Sequence, residues 1–464
     1  MQETQHPAQI LSMPVMDNYT LFFLILFVFR YLRVVVSIFT FMFYAPKPIR
    51  TNPAHTAKDV TVVIPTTFKS KTEFSLCLRN VVAEMAAAVI VVTSNANVPL
   101  ISEICAAMCC TNVTVLGVDK LNKRVQMIKA LKEVKTNLVV FADDDVFWPG
   151  GYLVRLLAVF DDPKTGAGGT RQRVRRNPGT YISIWNFLGI GYLERRAWNN
   201  VCTNAIGGSL STLSGRTAAY RTEILQKPAL YEWLAHQTDD DKCLTRYVYS
   251  QGWRITIQSD SRAVLETTLE DNSKFLSQCM RWARGHWRGN STVMQKETYW
   301  RSPRYWWGLY VIYVSSVTCV SALLYDGMLF WLLTGAVQGS EYARTAYISL
   351  VAWILFTKVV KMIPHFTRHP QDMMYIPFMI LFSYLHGFIN IYAYCTTSNT
   401  AWGGQSIASL EKPRAQNEEM VPLLRNATTG AEVYPEPRPG RMMFGGDYFS
   451  SSPAPAPRYI DVYA

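Results

Sequence analysis

Charge is scarce in this chain. Asp, Glu, Lys and Arg make up 17% of 464 residues, against roughly 25% in an average soluble domain. Apolar types reach 49%, which excludes a disordered or basic low-complexity protein over most of the length. Cysteine is sparse as well: nine residues, no CxxC pair and no Cys/His spacing of the zinc type, although Cys109 and Cys110 adjoin. A disulfide scaffold and a structural zinc site are thereby excluded, and the thiols read as those of a reduced, cytosol-facing protein. No GxGxxG follows the first apolar strand and no GxxxxGK with Ser or Thr occurs anywhere, which argues against a dinucleotide fold and a P-loop. Residues 1–17 contain no Lys or Arg, and no small-residue cleavage site closes the apolar run after them, which argues against a removable signal peptide.

What is present begins with long apolar runs. Tyr19 to Tyr44 is interrupted only by Arg30 and Arg33, and a bilayer core needs about 20 helical residues. We expect a membrane helix over 18–45 behind a short tail, 1–17. Lys47, Arg50 and Lys58 follow it and put that side in the cytosol. A second block covers 305–395, as Tyr305 to Gln338, Ala346 to Val360 and Met374 to Cys395. Hydropathy leaves open whether the last run crosses the membrane or lies along its surface. The tail 396–464 is rich in Pro and Ser and reads as disordered from about Glu411.

Residues 58–270 are long enough for one α/β domain. Asp59–Pro65, Ala87–Val92, Val113–Val118 and Leu138–Ala142 are short apolar runs, and Asn122–Val134 has helical spacing between two of them. Buried strands alternating with helices imply a mostly parallel sheet covered on both faces, with ligands beyond the carboxyl ends of its strands. Thr66-Thr67, Thr93-Ser94-Asn95 and Asp143-Asp144-Asp145 each stand at such an end.

Three adjacent aspartates repel one another, and burial aggravates the repulsion, so Asp143 to Asp145 suit a hard divalent cation, Mg²⁺ or Mn²⁺. If strand geometry persists, Asp143 and Asp145 share a direction. A solvated acidic turn is the plainer alternative. Thr238 to Asp241 precede a helical segment and read either as its N-cap or as a loop presenting a general base. Gln278, Arg281 and Trp282 lie on overlapping faces of a helix over 271–300, which suits an interfacial anchor or a site where Arg281 meets a diphosphate and Trp282 a sugar ring. Lys123 and Arg124 open another helix, where a diphosphate is favoured. Arg171, Arg173 and Arg175 alternate along a strand, open to structural, lipid or sugar-nucleotide contact. The formal charge of +12 points to an anionic partner, but nucleic acid is not expected.

In order and spacing, VVIP (62–65), FADDDVFWPG (141–150), RQRVRR (171–176), LSGRTAAYR (213–221), TDDDKCLT (238–245) and QCMRW (278–282) resemble the processive membrane glycosyltransferases of family 2, which include hyaluronan, chitin and cellulose synthases. The fungal polysaccharide synthases of that family are the most similar subgroup, and the likeness covers about residues 58–300. It implies a glycosyltransferase A-type, mostly parallel sheet set between membrane helices. It further implies inverting transfer from a UDP-sugar with a divalent Mg or Mn ion, to a growing glycan or lipid acceptor. Pro65, Thr66, Asn95, Lys123, Arg124, Asp143 and Arg281 would bind the nucleotide, and Asp145 with Asp143 the metal. Ser214, Gly215, Arg216, Gln278 and Trp282 would face the acceptor, and Asp241 would be the base, with Asp240 as substitute. Trp402-Gly403 resembles a gating segment, although Gly404-Gln405 replaces the Thr-Arg of relatives. The resemblance favours three crossings, with Met374 to Cys395 at the interface and the catalytic domain at the cytosolic face of the plasma membrane. So few helices leave little wall for a channel, which suggests a homo-oligomer. A single-transfer lipid glucosyltransferase and a catalytically silent scaffold are the rival readings.

Overall fold

The computed structural model describes residues 17–108, 111–206, 208, 210–237, 239–295, 310 and 322–399. The expected gating residues Trp402 and Gly403, and most of the run 305–321, lie outside them.

The four strands expected from apolar runs are β1 (Val60–Pro65), β2 (Ala88–Ser94), β3 (Val113–Val118) and β4 (Leu138–Ala142). β5 (Val146–Phe147), β6 (Thr165–Thr170), β7 (Gln172–Val174), β8 (Thr217–Arg221), β9 (Arg254–Gln258) and β10 (Leu265–Thr267) follow. The main sheet has seven strands in the order β3-β2-β1-β4-β8-β6-β9, and β5, β10 and β7 form a small second sheet. All pairings in the main sheet are parallel except those of β8 with β4 and β6. Alternation along each strand feeds two cores. Val62, Ile64, Val89, Val91 and Val140 pack on one face, and Val63, Ile90, Val92, Val139 and Phe141 on the other.

This topology fixes where a ligand can sit. The chain runs outward from β1 through β2 to β3 and then returns to β4 on the other side of β1. The connections leaving β1 and β4 therefore diverge, and a crevice opens beyond their carboxyl ends. Pro65 closes β1 and Asp143 follows β4, so both stand at its lip.

Among the described residues three helices are long and apolar enough to cross a membrane: Asn18–Phe43, Ala343–Arg368 and Pro370–Cys395. The first buries Tyr31 and Val34 against Leu329, Leu333, Leu350 and Ile354, and its Ser37 carbonyl accepts from Cys202 Sγ at 3.1 Å. Phe22, Ile25, Val28 and Phe39 face outward. At its C-terminal end the helix is joined to the α/β domain, where the Tyr44 hydroxyl lies 2.8 Å from the Ile257 carbonyl and 3.0 Å from Asn204 Oδ1.

The helix Ile376–Cys395 is fastened near its start to the α/β domain and near its end to the helix Lys274–Gln295. Before it, Asp372, which is fully buried, pairs with Arg176 at 2.8 Å. After it, Arg284 donates to Thr396 Oγ1 (3.0 Å) and Arg288 to the Thr397 carbonyl (2.8 Å).

The basic stretch 171–176 forms structural ties. β7 spans only three of its residues. Arg173 meets Glu194 at 3.2 Å, Arg175 lies 5.0 Å over the Phe147 ring, and Arg176 holds Asp372.

Candidate active site

Lys123 organises the acidic end of the crevice. Asn122 caps the helix Lys123–Leu131, its Oδ1 accepting from Arg124 N at 3.0 Å, and this points Lys123 inward. The Lys123 ammonium lies 2.7 Å from Asp143 Oδ1 and 3.1 Å from Asp240 Oδ2. One side chain thus joins two aspartates about a hundred positions apart in the chain. Burial would depress Lys123, but Asp143, Asp240 and Asp241 outweigh it and hold the ammonium well above its usual range. Burial likewise opposes ionisation of Asp240, yet Lys123 holds that carboxyl below its ordinary value.

The neighbouring carboxyls behave oppositely. Burial, and then the charge of Asp240, push Asp241 well above the ordinary carboxylate range. Asp145 is raised to about 7, first by burial and then by Asp143 and Asp144. A pair of adjacent aspartates whose affinities for a proton diverge this way contains one stable anion and one group able to accept a proton.

The expected common direction of Asp143 and Asp145 does not arise from strand alternation. β4 ends at Ala142, and Asp144 and Asp145 form a turn. All three aspartates nevertheless line the cavity, because the Asp143 amide is held by the Arg216 carbonyl at 2.9 Å across the β4–β8 pairing. Thr66 donates its hydroxyl to Asp144 and is itself buried, so it holds the acidic turn. Pro65, Arg124, Ser214 and Arg216 line the cavity with the aspartates. Asn95 does not. It is exposed at the end of β2, where it donates to Asp119 Oδ1 at 2.7 Å.

Asp239 is the N-cap of the helix Asp240–Ser250, its Oδ1 accepting from Lys242 N at 3.2 Å. Both readings of this cluster hold: Asp239 caps the helix, and Asp239, Asp240 and Asp241 all line the cavity. Gly215 packs on Asp241, and a Cβ there would lie 2.0 Å from Asp241 Oδ1. Gln278, Arg281 and Trp282, on the helix Lys274–Gln295, also face the cavity. Burial lowers Arg281, partly offset by Asp143 and Asp241. Trp282 stacks on Tyr192 at 4.9 Å, and the Arg216 guanidinium lies 5.5 Å over its ring.

Several positioning groups carry no sequence motif. Gln126, buried, donates to the carbonyls of Thr66 (2.9 Å) and Val92 (2.8 Å) and ties the ends of β1 and β2 together. Lys242, also buried, donates to the His286 carbonyl at 2.8 Å, and Arg246 donates to Asn290 Oδ1 at 2.8 Å. These bonds lock the Asp241 helix to the Arg281 helix. A buried Gln and Lys among apolar residues were the only available signals.

Among the described residues no group of three or more His, Cys, Asp or Glu side chains is arranged to hold a metal ion. Asp143 and Asp145 nevertheless fit Mg²⁺ or Mn²⁺, since such ions are commonly held by one or two carboxylates with the remaining ligands from substrate phosphates and water. A carboxyl driven up to about 7 by burial and then by Asp143 and Asp144 is one that a cation would relieve.

Comparison with known proteins places this geometry. Residues 57–285 match the model described as "Glycosyltransferase like family 2". A type 2 glycosyltransferase of Pyricularia oryzae is 37% identical over 398 residues, covering 83% of this chain and 82% of that one. Another, of Zymoseptoria tritici, is 38% identical over 409 residues, covering 86% and 85%. The chain belongs to glycosyltransferase family 2. The fold of this family 2 enzyme is also that of a mannosyltransferase from Pyrobaculum calidifontis, solved in complex with GDP-mannose and Mn²⁺. The two share a TM-score of 0.53 at 14% identity, over 81% of this chain and 99% of that one. The central sheet is accordingly the mostly parallel, glycosyltransferase A-type α/β sheet.

Proposed function

We propose that this glycosyltransferase transfers sugar with inversion from a UDP-sugar to the hydroxyl of a growing polysaccharide at the cytosolic face of the plasma membrane. The convergence of Asp143, Asp240 and Asp241 around Lys123, in one cavity with Arg281, carries the reading. Pro65 and Arg124 border the nucleotide, and Lys123, Arg124 and Arg281 face its diphosphate. Asp145 and Asp143 would hold a divalent ion, which when bound supplies positive charge to the phosphates. Asp241, the carboxyl with raised proton affinity, takes the acceptor proton as the hydroxyl attacks the anomeric carbon, and the electron pair of the breaking bond leaves with UDP. The arginines then stabilise the charge that grows on UDP. Ser214, Arg216, Gln278 and Trp282 orient the acceptor.

The helix Ile376–Cys395, which runs alongside the helix Lys274–Gln295 from Phe382 to Thr397, is read with it as lying along the membrane surface.

The test is UDP release by purified protein from UDP-glucose, UDP-N-acetylglucosamine and UDP-glucuronate, with GDP-mannose as comparison, followed by product sizing with labelled donor. We expect release from one UDP-sugar and products many sugars long. Asp241→Asn should lower turnover by about 10²–10⁴-fold while UDP binding persists. Turnover from GDP-mannose alone would refute the donor, a single transferred sugar would refute polymerisation, and an unaffected Asp241→Asn enzyme would refute the base.

A further inference from the structure

The turn that carries Asp241 is held from two sides. On one side, the Thr245 hydroxyl donates to the Asp241 carbonyl at 2.5 Å and accepts from Leu213 N at 2.8 Å, which ties the turn to the loop before β8. Gly215 of the same loop packs on the Asp241 carboxylate. That side belongs to the sheet that holds Asp143. On the other side stands the helix Lys274–Gln295, which presents Gln278, Arg281 and Trp282 to the cavity. The distance between the proposed base and these groups is therefore set by how the helix Asp240–Ser250 seats on the helix Lys274–Gln295.

Lys242, next to Asp241 in sequence, makes that seat. It is 2% exposed, and its Nζ donates to the His286 carbonyl at 2.8 Å. Two glycines admit it. Arg281, Gly285 and Gly289 recur every four residues and share one helix face. A Cβ at Gly289 would lie 2.6 Å from Lys242 Cδ, and one at Gly285 2.9 Å from Asp239 Oδ2. Arg246, one turn beyond Lys242, donates to the Gly289 carbonyl and, at 2.8 Å, to Asn290 Oδ1. The face that begins with the cavity groups thus continues as a groove that receives the first turn of the Asp241 helix.

Adhesion between two helices does not need this arrangement. Burying an amino group forfeits its hydration, and burial, followed by Arg246, holds the proton affinity of Lys242 well below the ordinary lysine range. An apolar side chain of the same length would fill the groove without that cost. What apolar packing lacks is direction. It tolerates sliding and rotation, whereas a hydrogen bond to one carbonyl restricts both.

We propose that Lys242 is a positioning residue that fixes the register of the Asp241 turn against the helix carrying Arg281 and Trp282. Its effect on rate rests on the reading of Asp241 as the base, and the experiment separates the two.

Lys242→Met keeps the side-chain length and removes the bond. With the full chain in detergent, UDP release from UDP-glucose, UDP-N-acetylglucosamine and UDP-glucuronate gives kcat and KM, UDP titration gives Kd, and thermal denaturation gives Tm. We expect kcat to fall about 10²-fold, as for a displacement of about 1 Å at a reacting group, with KM and Kd within about twofold of the parent and Tm unchanged or higher. Gly289→Ala, whose Cβ would drive Lys242 from its seat, should lower kcat similarly, and the double variant should fall little further than either. A residue that merely stabilises the fold would lower Tm and UDP affinity together, and that result overturns the proposal. Parental kcat in Lys242→Met, where Asp241→Asn is slow, also overturns it. A crystal or cryo-electron structure of Lys242→Met reads the register without turnover: Asp241 displaced relative to Arg281 supports the proposal, and Asp241 unmoved overturns it. Parental turnover in Asp241→Asn removes the base reading and leaves that structure to decide the register.

Discussion

Gly215→Ala isolates the position of the proposed base from its chemistry. The φ angle at Gly215 is not among the positive ones, so alanine is tolerated by the backbone. The three atoms nearest to a Cβ there all belong to Asp241: Oδ1 at 2.0 Å, Cγ at 2.8 Å and Oδ2 at 3.0 Å. Ordinary van der Waals contact requires Oδ1 to retreat by about 1 Å or more. The carboxylate is the end of a side chain, so it moves and the fold remains. A displacement of about 1 Å at a reacting group costs about 10²-fold in rate, within the 10²–10⁴-fold range, roughly, for losing general-base assistance altogether. We therefore expect kcat for UDP release in the presence of acceptor to fall about 100-fold, with the Kd for UDP within about twofold of the parent. Gly215→Ala combined with Asp241→Asn should add little to Asp241→Asn alone, because both act through one group. Parental kcat in Gly215→Ala would refute the assignment, since the base would have been moved without consequence.

Lys123→Met should lower Tm and weaken UDP binding, since it leaves Asp143 and Asp240 facing each other without the ammonium that joins them; thermal denaturation and UDP titration measure both. Mn²⁺ affinity should rise about tenfold per pH unit up to about pH 7 and level off above it, as Asp145, held at about 7, loses its proton; Mn²⁺ titration across pH 5.5–8.5 (about three units) follows this. The same group titrates near 3.9 when unfolded, so the folded chain holds an extra proton between about pH 4 and pH 7. Metal-free stability should fall as pH rises through that window, and Mn²⁺ should remove the trend. Asp372→Asn should lower Tm, because the fully buried carboxylate pairs with both Arg176 (2.8 Å) and His365 (2.9 Å). Denaturation in detergent, with UDP binding retained at low temperature, would show it.

The four strands that open the domain were legible because each is a short, largely apolar run. β1, β2 and β4 are buried on both faces, while β3, at the sheet edge, buries only Val118. β6, Thr-Gly-Ala-Gly-Gly-Thr, was not legible, although every one of its residues is buried. Its glycines admit close neighbours instead of contributing side chains. A Cβ at Gly168 would stand 2.5 Å from Val159 Cγ2, and one at Gly169 2.7 Å from Leu213 Cδ1. Hydrophobic pattern cannot report a strand whose fit depends on having no side chain. The cavity residues were legible for the converse reason: clustered aspartates and a basic, aromatic helix are costly to bury without a task. Asn95 shows where that reasoning fails. It stands at the correct strand end, but Asp119 lies next to it and takes its amide.

Composition and local pattern alone determined the membrane runs, the alternating α/β order and the identity of the charged groups, since each depends on a few neighbouring residues. Tertiary structure decided that Asp239 is the one that caps the helix, that Lys123 joins Asp143 to Asp240, and that Arg173, Arg175 and Arg176 are occupied in structural ties. It also decided that Lys242 reaches the His286 carbonyl on the Arg281 helix. Pairing between charges distant in sequence depends on the path of the backbone, and a side chain's proton affinity depends on the burial and neighbours that path provides.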